Sequence, residues 1–538
     1  MKFVARALQE AAKGAAGVAA MVAAALPLLP GQALAQAQAQ ANVLRVVPHA
    51  DLTQLDPGWA PIVITRQYGL MVFEQLFAWD SKLESKPQMV ESWTTSPDGL
   101  VWRFVLRDGL KFHDGQPVTT ADVVASLKRW MGRDLVGTKL GASTAGVEAV
   151  DAKTFEIRLN RPYPAMLFSL GSGVALIPVI MRARDIEADA TKPITTAIGS
   201  GPFRFNHAAR VSGALTVFDR NTDYVPRKEA PDGLSGARLA KVDRVEWRVI
   251  PDASTAAAAL QAGEVDMWEQ PALDLLPVLE RNRSIRLQKL TEMSNQTILR
   301  PNSLHPPFNN PKARLALAYI INQADVMAAG FGDEKYWKAC NSYYICGGPY
   351  GTTAGAEGLA PDLAKARALL AEAGYNGEKL TYIATTEIAW IGRQAEVIAD
   401  SMRKAGMNID LVIADWGTTA GRQSNKGTPA QGGWHLLNTG SSGPTMHHPL
   451  TNIGTNMACD GRNFAGWPCD EEAERLRQAF LDANDAERPA ALERLHRRLA
   501  EVQPYRVLGQ FDQPVAMRTN VTGMLSGAVM VYWNIGKN

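Results

Sequence analysis

The chain has 538 residues, 46% of them hydrophobic and 20% charged, with 31 prolines and 45 glycines spread along its length. This composition excludes a disordered or collagen-like chain and predicts two or three compact domains joined by many short loops. Lysine plus arginine number 56 against 54 acidic residues, and no basic block is dense enough to follow a phosphate backbone, so nucleic acid is not expected as a partner.

The first 35 residues stand apart. Lys2, Arg6 and Lys13 precede an apolar, alanine-rich run over 14–29, and Ala33-Leu34-Ala35 supplies a small-x-small cleavage site, which predicts an export signal cut near Ala35. Pro27 and Pro30 break the run, which is too short and leucine-poor for a retained anchor. The segment carries three basic residues and one acidic residue, so 53 of each sign remain in the mature chain, and any selectivity for a partner must be local. No cysteine follows the run to take a lipid, and no later stretch reaches the ~20 apolar residues of a membrane span.

In chain order, 43–47 is a β-rich run stopped by Pro48, and Leu55-Asp56-Pro57-Gly58 is a turn. Leu70, Phe73, Leu76 and Phe77 recur at helical spacing and predict a helix over 65–79. Over 100–106 the large residues Trp102, Phe104 and Leu106 alternate on one face, and Asp108-Gly109 closes the strand. Thr119 or Thr120 caps a helix running to Trp130, because its hydroxyl can accept an orphan amide proton. Strands are expected over 155–159, 215–218 and 245–250, with a helix over 253–262 ending at Gly263. Asn310-Pro311 opens a helix with Leu317, Ile320 and Ile321 inward, and 361–374 is a helix with a glycine stop. Strand 380–384, helix 393–404 and strand 409–414 give a β-α-β order, the usual route to a parallel pair. Two helices follow over 471–481 and 486–502, with Arg494, Arg497 and Arg498 on a solvated face.

Cys340, Cys346, Cys459 and Cys469 all lie in the exported part, as two close pairs in loop sequence. Three pairings are possible; two local disulfides are the simplest, each stabilising by about 2–3 kcal/mol, and a zinc site is the alternative. Signatures of familiar enzymes are missing: the chain has no GxxxxGK[ST], HExxH, GxSxG or strand-helix GxGxxG motif. Of the eight histidines only the adjacent His447-His448 suggests a metal or metal chelate, and neighbours in an extended chain point opposite ways. No cofactor and no resident metal are expected.

A long string then becomes informative. It runs Pro87-Gln88-Met89-Val90-Glu91-Ser92-Trp93, Asp98-Gly99-Leu100-Val101-Trp102-Arg103-Phe104, and Leu106-Arg107-Asp108-Gly109-Leu110-Lys111-Phe112-His113-Asp114-Gly115-Gln116-Pro117-Val118-Thr119 with Asp122-Val123. Gly199-Ser200-Gly201-Pro202-Phe203, Gln261-Ala262-Gly263-Glu264-Val265-Asp266, Pro307-Phe308-Asn309-Asn310-Pro311-Lys312-Ala313-Arg314, Leu369-Leu370-Ala371-Glu372-Ala373-Gly374-Tyr375 and Asp415-Trp416-Gly417-Thr418 extend it. Over nearly the whole mature chain this resembles family 5 of the extracytoplasmic solute-binding proteins of ABC importers, the large peptide-binding class.

The resemblance implies an α/β, two-lobed, hinged-clamp fold of the type II periplasmic binding proteins, with an extra subdomain in lobe one. Lobe one would be 42–296 completed by 505–538, the subdomain 81–198, and lobe two 297–504, so the chain crosses the hinge near Asn295 and near Pro504. It further implies a periplasmic monomer that takes a peptide or other small polar solute and passes it to an inner-membrane ABC permease, without catalysis. Relatives hold a peptide ammonium with an aspartate after a Gly-Trp pair, and the dipeptide type adds an arginine. Here Gly433-Trp434 is followed by no such aspartate, and Glu387 stands where the arginine would lie, which would favour a cation or a hydroxyl-rich ligand.

Candidate ligand residues are Arg66, Gln67 and Tyr68 in lobe one, and Glu387, Trp390, Trp416, Trp434, Asn438, Thr439, Ser441 and Ser442 in lobe two. Trp416 and Trp434 also suit a core, Arg66 and Glu387 also suit an interlobe ion pair, and Ser441-Ser442 also suits a plain polar loop. The Cys459 and Cys469 pair matches a disulfide position of relatives and would stiffen a loop near the cleft. The alternatives from other classes are a periplasmic hydrolase, which would need a serine or threonine of 439–445 against His447 or His448, a metal-chelate binder using that histidine pair, and a binding protein without its own importer.

Overall fold

The structure is a computed structural model and describes residues 42–187, 192–461 and 463–538; the export-signal reading of 1–35 lies outside these. Two mixed sheets dominate. The first has seven strands, in spatial order Phe203–Phe205, Leu215–Arg220, Arg244–Arg248, Val43–Val47, Met267–Trp268, Pro514–Arg518 and Ile285–Lys289. Val43–Val47 runs parallel to both of its neighbours, and the outer strands are antiparallel. The second has six strands, in the order Trp337–Lys338, Arg506–Phe511, Asn295–Pro301, Leu436–Ser441, Leu380–Thr385 and Ile409–Ala414. A smaller antiparallel sheet, Val90–Thr95, Val101–Leu106, Thr154–Leu159 and Thr144–Ala149 in spatial order 90–95, 101–106, 154–159, 144–149, falls wholly inside the 81–198 insertion.

Local signals explain most of the elements. Asn310 accepts the Lys312 N–H ahead of the helix Pro311–Ile320, and Asp252 does the same for Thr255 ahead of Ala253–Ala262, satisfying donors that no helical carbonyl can reach. Gly263 ends that helix at φ 80, a conformation costly for any residue with a Cβ. At Thr119 the cap is a capping box: the Thr119 side chain faces the Asp122 N–H, and the Asp122 carboxylate accepts both the Thr119 N–H and its hydroxyl. Leu380–Thr385 and Ile409–Ala414 pair in parallel around the helix Ala389–Lys404, because a helical crossover brings the second strand back in the same direction.

Each sheet has its own core. Tyr68, Leu70, Phe73, Phe203, Phe218, Trp247, Tyr532 and Trp533 pack under the seven-stranded sheet. Leu299, Leu317, Tyr382, Ile398 and Met402 pack under the six-stranded one. At about 1.5–3 kcal/mol for each fully buried large apolar side chain, these cores supply the main drive for folding. A third core joins the insertion to the six-stranded side: Val136, Leu140, Tyr163 and Leu170 meet Leu450, Phe480 and Leu481.

Two expectations change. The helix predicted over 65–79 is Val63–Val72, followed by the short strands Glu74–Gln75 and Phe77–Trp79. It stops at Phe73, which is extended, and the Val72 carbonyl accepts the Gly201 N–H. The apolar residues beyond it are buried on several sides, so their spacing reflects burial and not a helical face. The second crossing between sheets also falls later than Pro504. Arg506–Phe511 pairs with Asn295–Pro301 in the six-stranded sheet, and the chain leaves it only at Asp512–Gln513 before Pro514–Arg518 joins the seven-stranded sheet. The first crossing, over 290–294, ends where Asn295–Pro301 begins.

Candidate functional site

A cavity of about 330 Å³ lies where the two sheets face each other across the crossings. From the seven-stranded side it takes Val63, Arg66 and Gln67 of the helix Val63–Val72, and Glu269 just after the strand Met267–Trp268. The six-stranded side contributes Ile388, Trp390, Gly440, Ser441, Ser442 and Phe511. Leu290, Met293, Ser294, Asp512 and Gln513 of the two crossings close the back.

The helix Val63–Val72 is buried from Ile64 onward on every face, which is the setting of a core helix and a poor place for a charge. Arg66 is nonetheless there, 7% exposed, and its Nε is enclosed without a partner. Burial brings its pKa down from 12.5 to about 10, against a partial pull upward from Asp134. Beside it Gln67 donates through Nε2 to Glu269, while its Oε1 receives no donor. Glu269 also accepts the His49 N–H at 3.1 Å and pairs with the His49 ring at 2.9 Å. Burial alone would raise the Glu269 pKa and lower that of His49. The charge and hydrogen bonds between them outweigh it, so the carboxyl ends below and the imidazole above its ordinary value, as an imidazolium–carboxylate pair requires.

The opposite wall is aromatic. Trp390 lies 5.6 Å from both Phe331 and Phe511, whose rings stack at 4.2 Å. A Cβ on Gly440 would stand 3.0 Å from the Trp390 ring, so the absence of a side chain there lets the indole approach the strand closely. A Cβ on Gly443 would be 2.3 Å from the Met293 carbonyl, which makes glycine necessary for the Ser442 loop to approach the first crossing. The crossings are tied to each other: Ser294 Oγ donates to Asp512 at 2.7 Å, and Lys289 pairs with the same carboxylate at 2.6 Å.

Of the residues expected from sequence, the fold brings Arg66, Gln67, Trp390, Ser441 and Ser442 to the cavity wall and leaves the others elsewhere. Tyr68 is fully buried, edge-on to Phe73 and Phe205, because one further step round the helix turns it into the core. Trp434 is fully buried against Ile383, Leu437 and Trp467 and donates its Nε1–H to Gln423. Asn438 is also fully buried and donates to the Ile391 carbonyl, which ties the helix Ala389–Lys404 to its sheet. Thr439 pairs with Ile298 within the sheet. Glu387 is exposed and accepts the Trp416 N–H at 2.9 Å, while Trp416 is 38% exposed at the start of the helix Trp416–Gln423. With Glu387 off the wall, the expected preference for a cation loses its basis. Glu269, Asp512 and Phe511 were missed. Glu269 lies three residues past the Gln261–Asp266 motif, and the other two sit at a crossing placed too early, so the signal was nearby in both cases.

His447 and His448 do not line the cavity either. They sit in an aromatic box of Trp79, Phe168, Tyr350 and Phe480, with Phe168 stacked on His448 at 4.5 Å. His447 donates from Nδ1 to the Pro444 carbonyl, and His448 Nδ1 accepts the Leu450 N–H. Burial lowers the His447 pKa to about 4 and that of His448 well below 6.5. Ser442 and Thr445 bond to each other, and among the described residues no serine or threonine of 439–445 bonds either histidine, so the nucleophile–base contact of a hydrolase is not made. No group of three potential ligands among the described residues could hold a metal. The four cysteines form the two local disulfides, Cys340–Cys346 and Cys459–Cys469, and no described helix is long and apolar enough to cross a membrane.

Comparison with known proteins adds the lineage. The family model described as bacterial extracellular solute-binding proteins, family 5 Middle, matches residues 84–456. A probable peptide ABC transporter periplasmic-binding protein of Sinorhizobium fredii, y4tO, is 36% identical over 90% of this chain and 92% of its own. Two solved structures superpose with TM-score 0.77 at 23% identity over 92% of this chain. They are AgaA of A. tumefaciens R10 in complex with agropinic acid, of which 99% is covered, and DppA of Helicobacter pylori in complex with the peptide STSA, of which 98% is covered. These structures show the same type II two-lobed fold. The chain belongs to family 5 of the bacterial extracellular solute-binding proteins.

Proposed function

We propose that this protein is the periplasmic component of an ABC importer, reversibly enclosing a peptide or other small polar solute between two lobes and delivering it unchanged to an inner-membrane permease. The observation that carries this reading is the cavity itself, with walls drawn from two separate sheets and a back formed by the only two crossings between them in the described chain. Lobe one would comprise 42–294 with 512–538, carrying the insertion at 81–198, and lobe two 295–511. Bending confined to two short crossings changes the gap and leaves each core intact, and a solute that touches both walls favours the closed form by its differential affinity. The y4tO relative supports a peptide as the cargo class. The mature protein starts near Gln36 after removal of the export signal and works as a monomer.

Titration calorimetry and small-angle scattering on ligand-stripped protein test this. A peptide or related solute should bind reversibly, reduce the radius of gyration and be recovered intact. Recovery of an altered compound, or binding without compaction, would overturn the reading.

A further inference from the structure

The two sides of the molecule also touch outside the cavity, in the box around His447 and His448. Trp79 and Phe168 enter it from the stretch 42–294, and Tyr350, Phe480 and the two histidines from 295–511. Phe168 stacks on His448 at 4.5 Å and Trp79 stands edge-on to His447 at 5.8 Å, so ring contacts span the gap between the two sides. The apolar contact of the insertion with Leu450, Phe480 and Leu481 continues it. The box is tied to the cavity by one short segment: Pro444 lines the cavity, and its carbonyl accepts His447 Nδ1–H at 2.7 Å.

Both imidazoles fit this box as neutral rings. With Nδ1–H given to Pro444, His447 can take a second proton only at Nε2, which has no hydrogen-bond partner among the described residues. His448 accepts the Leu450 N–H at Nδ1, 2.9 Å away, so a proton arriving at that atom breaks the bond. The surroundings offer a cation no compensation. The strand Phe77–Trp79 and the helix Met166–Leu170 bring no titratable side chain, and the loop before residue 356 brings the Tyr350 ring. The charged groups facing the pair from the last two helices are Arg477 and Arg488, both cations. Their carboxylates are already committed, Glu474 to Arg477 and Lys139 and Asp485 to Arg488. A protonated imidazole here is a buried charge without a partner, which a protein relieves by letting water in.

Resting on the reading of the molecule as a two-lobed clamp, we propose that His447 and His448 form an acid-operated latch between the lobes. Neutral, they hold lobe one and lobe two together beside the cavity; protonated, they part Trp79 and Phe168 from the 447–450 segment and open the clamp. For a histidine at about 4 in the box and 6.5 once wet, the open form gains about 10-fold in population between pH 7.5 and pH 5.5. This sign follows from the box favouring the neutral ring, so opening takes up protons and acid promotes it.

Small-angle scattering and hydrogen exchange on the solute-free full chain at pH 7.5 and pH 5.5 test the latch, with exchange rates corrected for their intrinsic pH dependence. In acid the radius of gyration should rise and peptides covering 447–452 and 167–171 should lose protection by about 10–100-fold, while the strands Val43–Val47 and Asn295–Pro301 keep theirs. Replacing both rings, His447→Asn with His448→Asn, retains a donor for Pro444 and an acceptor for Leu450 without a titrating group, and should leave the clamp closed at pH 5.5. The other buried histidines, His113, His435 and His496, bond within their own sides and titrate in both proteins, so the comparison isolates the pair. Phe168→Glu sets a carboxylate against His448 and should move the opening at least one pH unit lower. It decides the matter if circular dichroism shows the double variant unfolded.

A radius unchanged between the two pH values, loss of protection in the box without a rise in radius, the same acid opening in a folded double variant, or no downward shift in Phe168→Glu would each overturn the latch. These measurements use no solute, so such a failure is distinct from failure of the clamp reading, which is judged by solute-driven compaction at neutral pH.

Discussion

The two walls of the cavity are chemically unlike. Arg66, Glu269, Lys289 and Asp512 put every charged group of the lining outside 295–511, whereas that stretch contributes Ile388, Trp390, Phe511, Pro444 and the small polar residues 440–442. One wall can orient a solute by charge and the other can only cover it. Covering matters physically because an apolar surface closing over Arg66 lowers the local dielectric, which strengthens pairing with an anion and raises the penalty when no anion is present. On the proposed clamp reading, this difference between the walls would couple closure to cargo.

The sharpest way to break the charged wall is to take away the partner of Glu269. His49→Ala should leave a buried carboxylate unmatched and lower stability by about 3–5 kcal/mol in denaturant titrations. A pH profile sharpens the point. Because the folded His49 pKa is raised above its ordinary 6.5, its contribution is complete below that pH and is lost as pH rises through the raised value.

The histidines in the box of Trp79, Phe168, Tyr350 and Phe480 have the opposite sign. His447, depressed to about 4, stays neutral when folded and would be protonated when unfolded below 6.5, so its contribution is lost as pH falls from 6.5 towards 4. The loss should approach roughly 3 kcal/mol, at about 1.4 kcal/mol per pK unit, and His447→Gln should flatten the acid limb of the stability profile. Mild acid should therefore loosen the contact of Phe168 and Trp79 with the 447–448 segment, while alkali weakens the charged wall.

Smaller effects probe the cover and the rim. Trp390→Ala should reduce solute affinity by about 2 kcal/mol, because it removes the largest apolar surface that the six-stranded side gives the cavity. Arg393→Ala removes an exposed ion pair, 3.3 Å from Asp274, that bridges the two sides outside the cavity. It should change both stability and affinity by under ~0.5 kcal/mol; a larger change in affinity alone would mean that the rim takes part in closure.

Much of this architecture could be read in the linear chain because the signals are short-ranged. Asn310 before Pro311, the stop at Gly263, the alternation around Trp102 and Phe104, and the two close cysteine pairs each depend on neighbours a few residues away, and each appears as expected. The long motif string likewise carried the family. The cavity is a different matter, since Gln67 and Glu269 are 202 residues apart and meet only because the tertiary fold sets the helix Val63–Val72 beside the end of the strand Met267–Trp268. Sequence could not separate Arg66 and Gln67 from Tyr68, three consecutive polar-capable side chains, since the helix's packing decides which of them faces the gap. Nor could it show that Glu387 turns to the Trp416 amide, or that Phe511 ends a strand and Asp512 begins the crossing, because those outcomes depend on strand pairing between distant segments. Local free energies wrote the elements and the lineage into the chain; the placement of one unmatched charge opposite an aromatic wall was decided by how the two sheets pack.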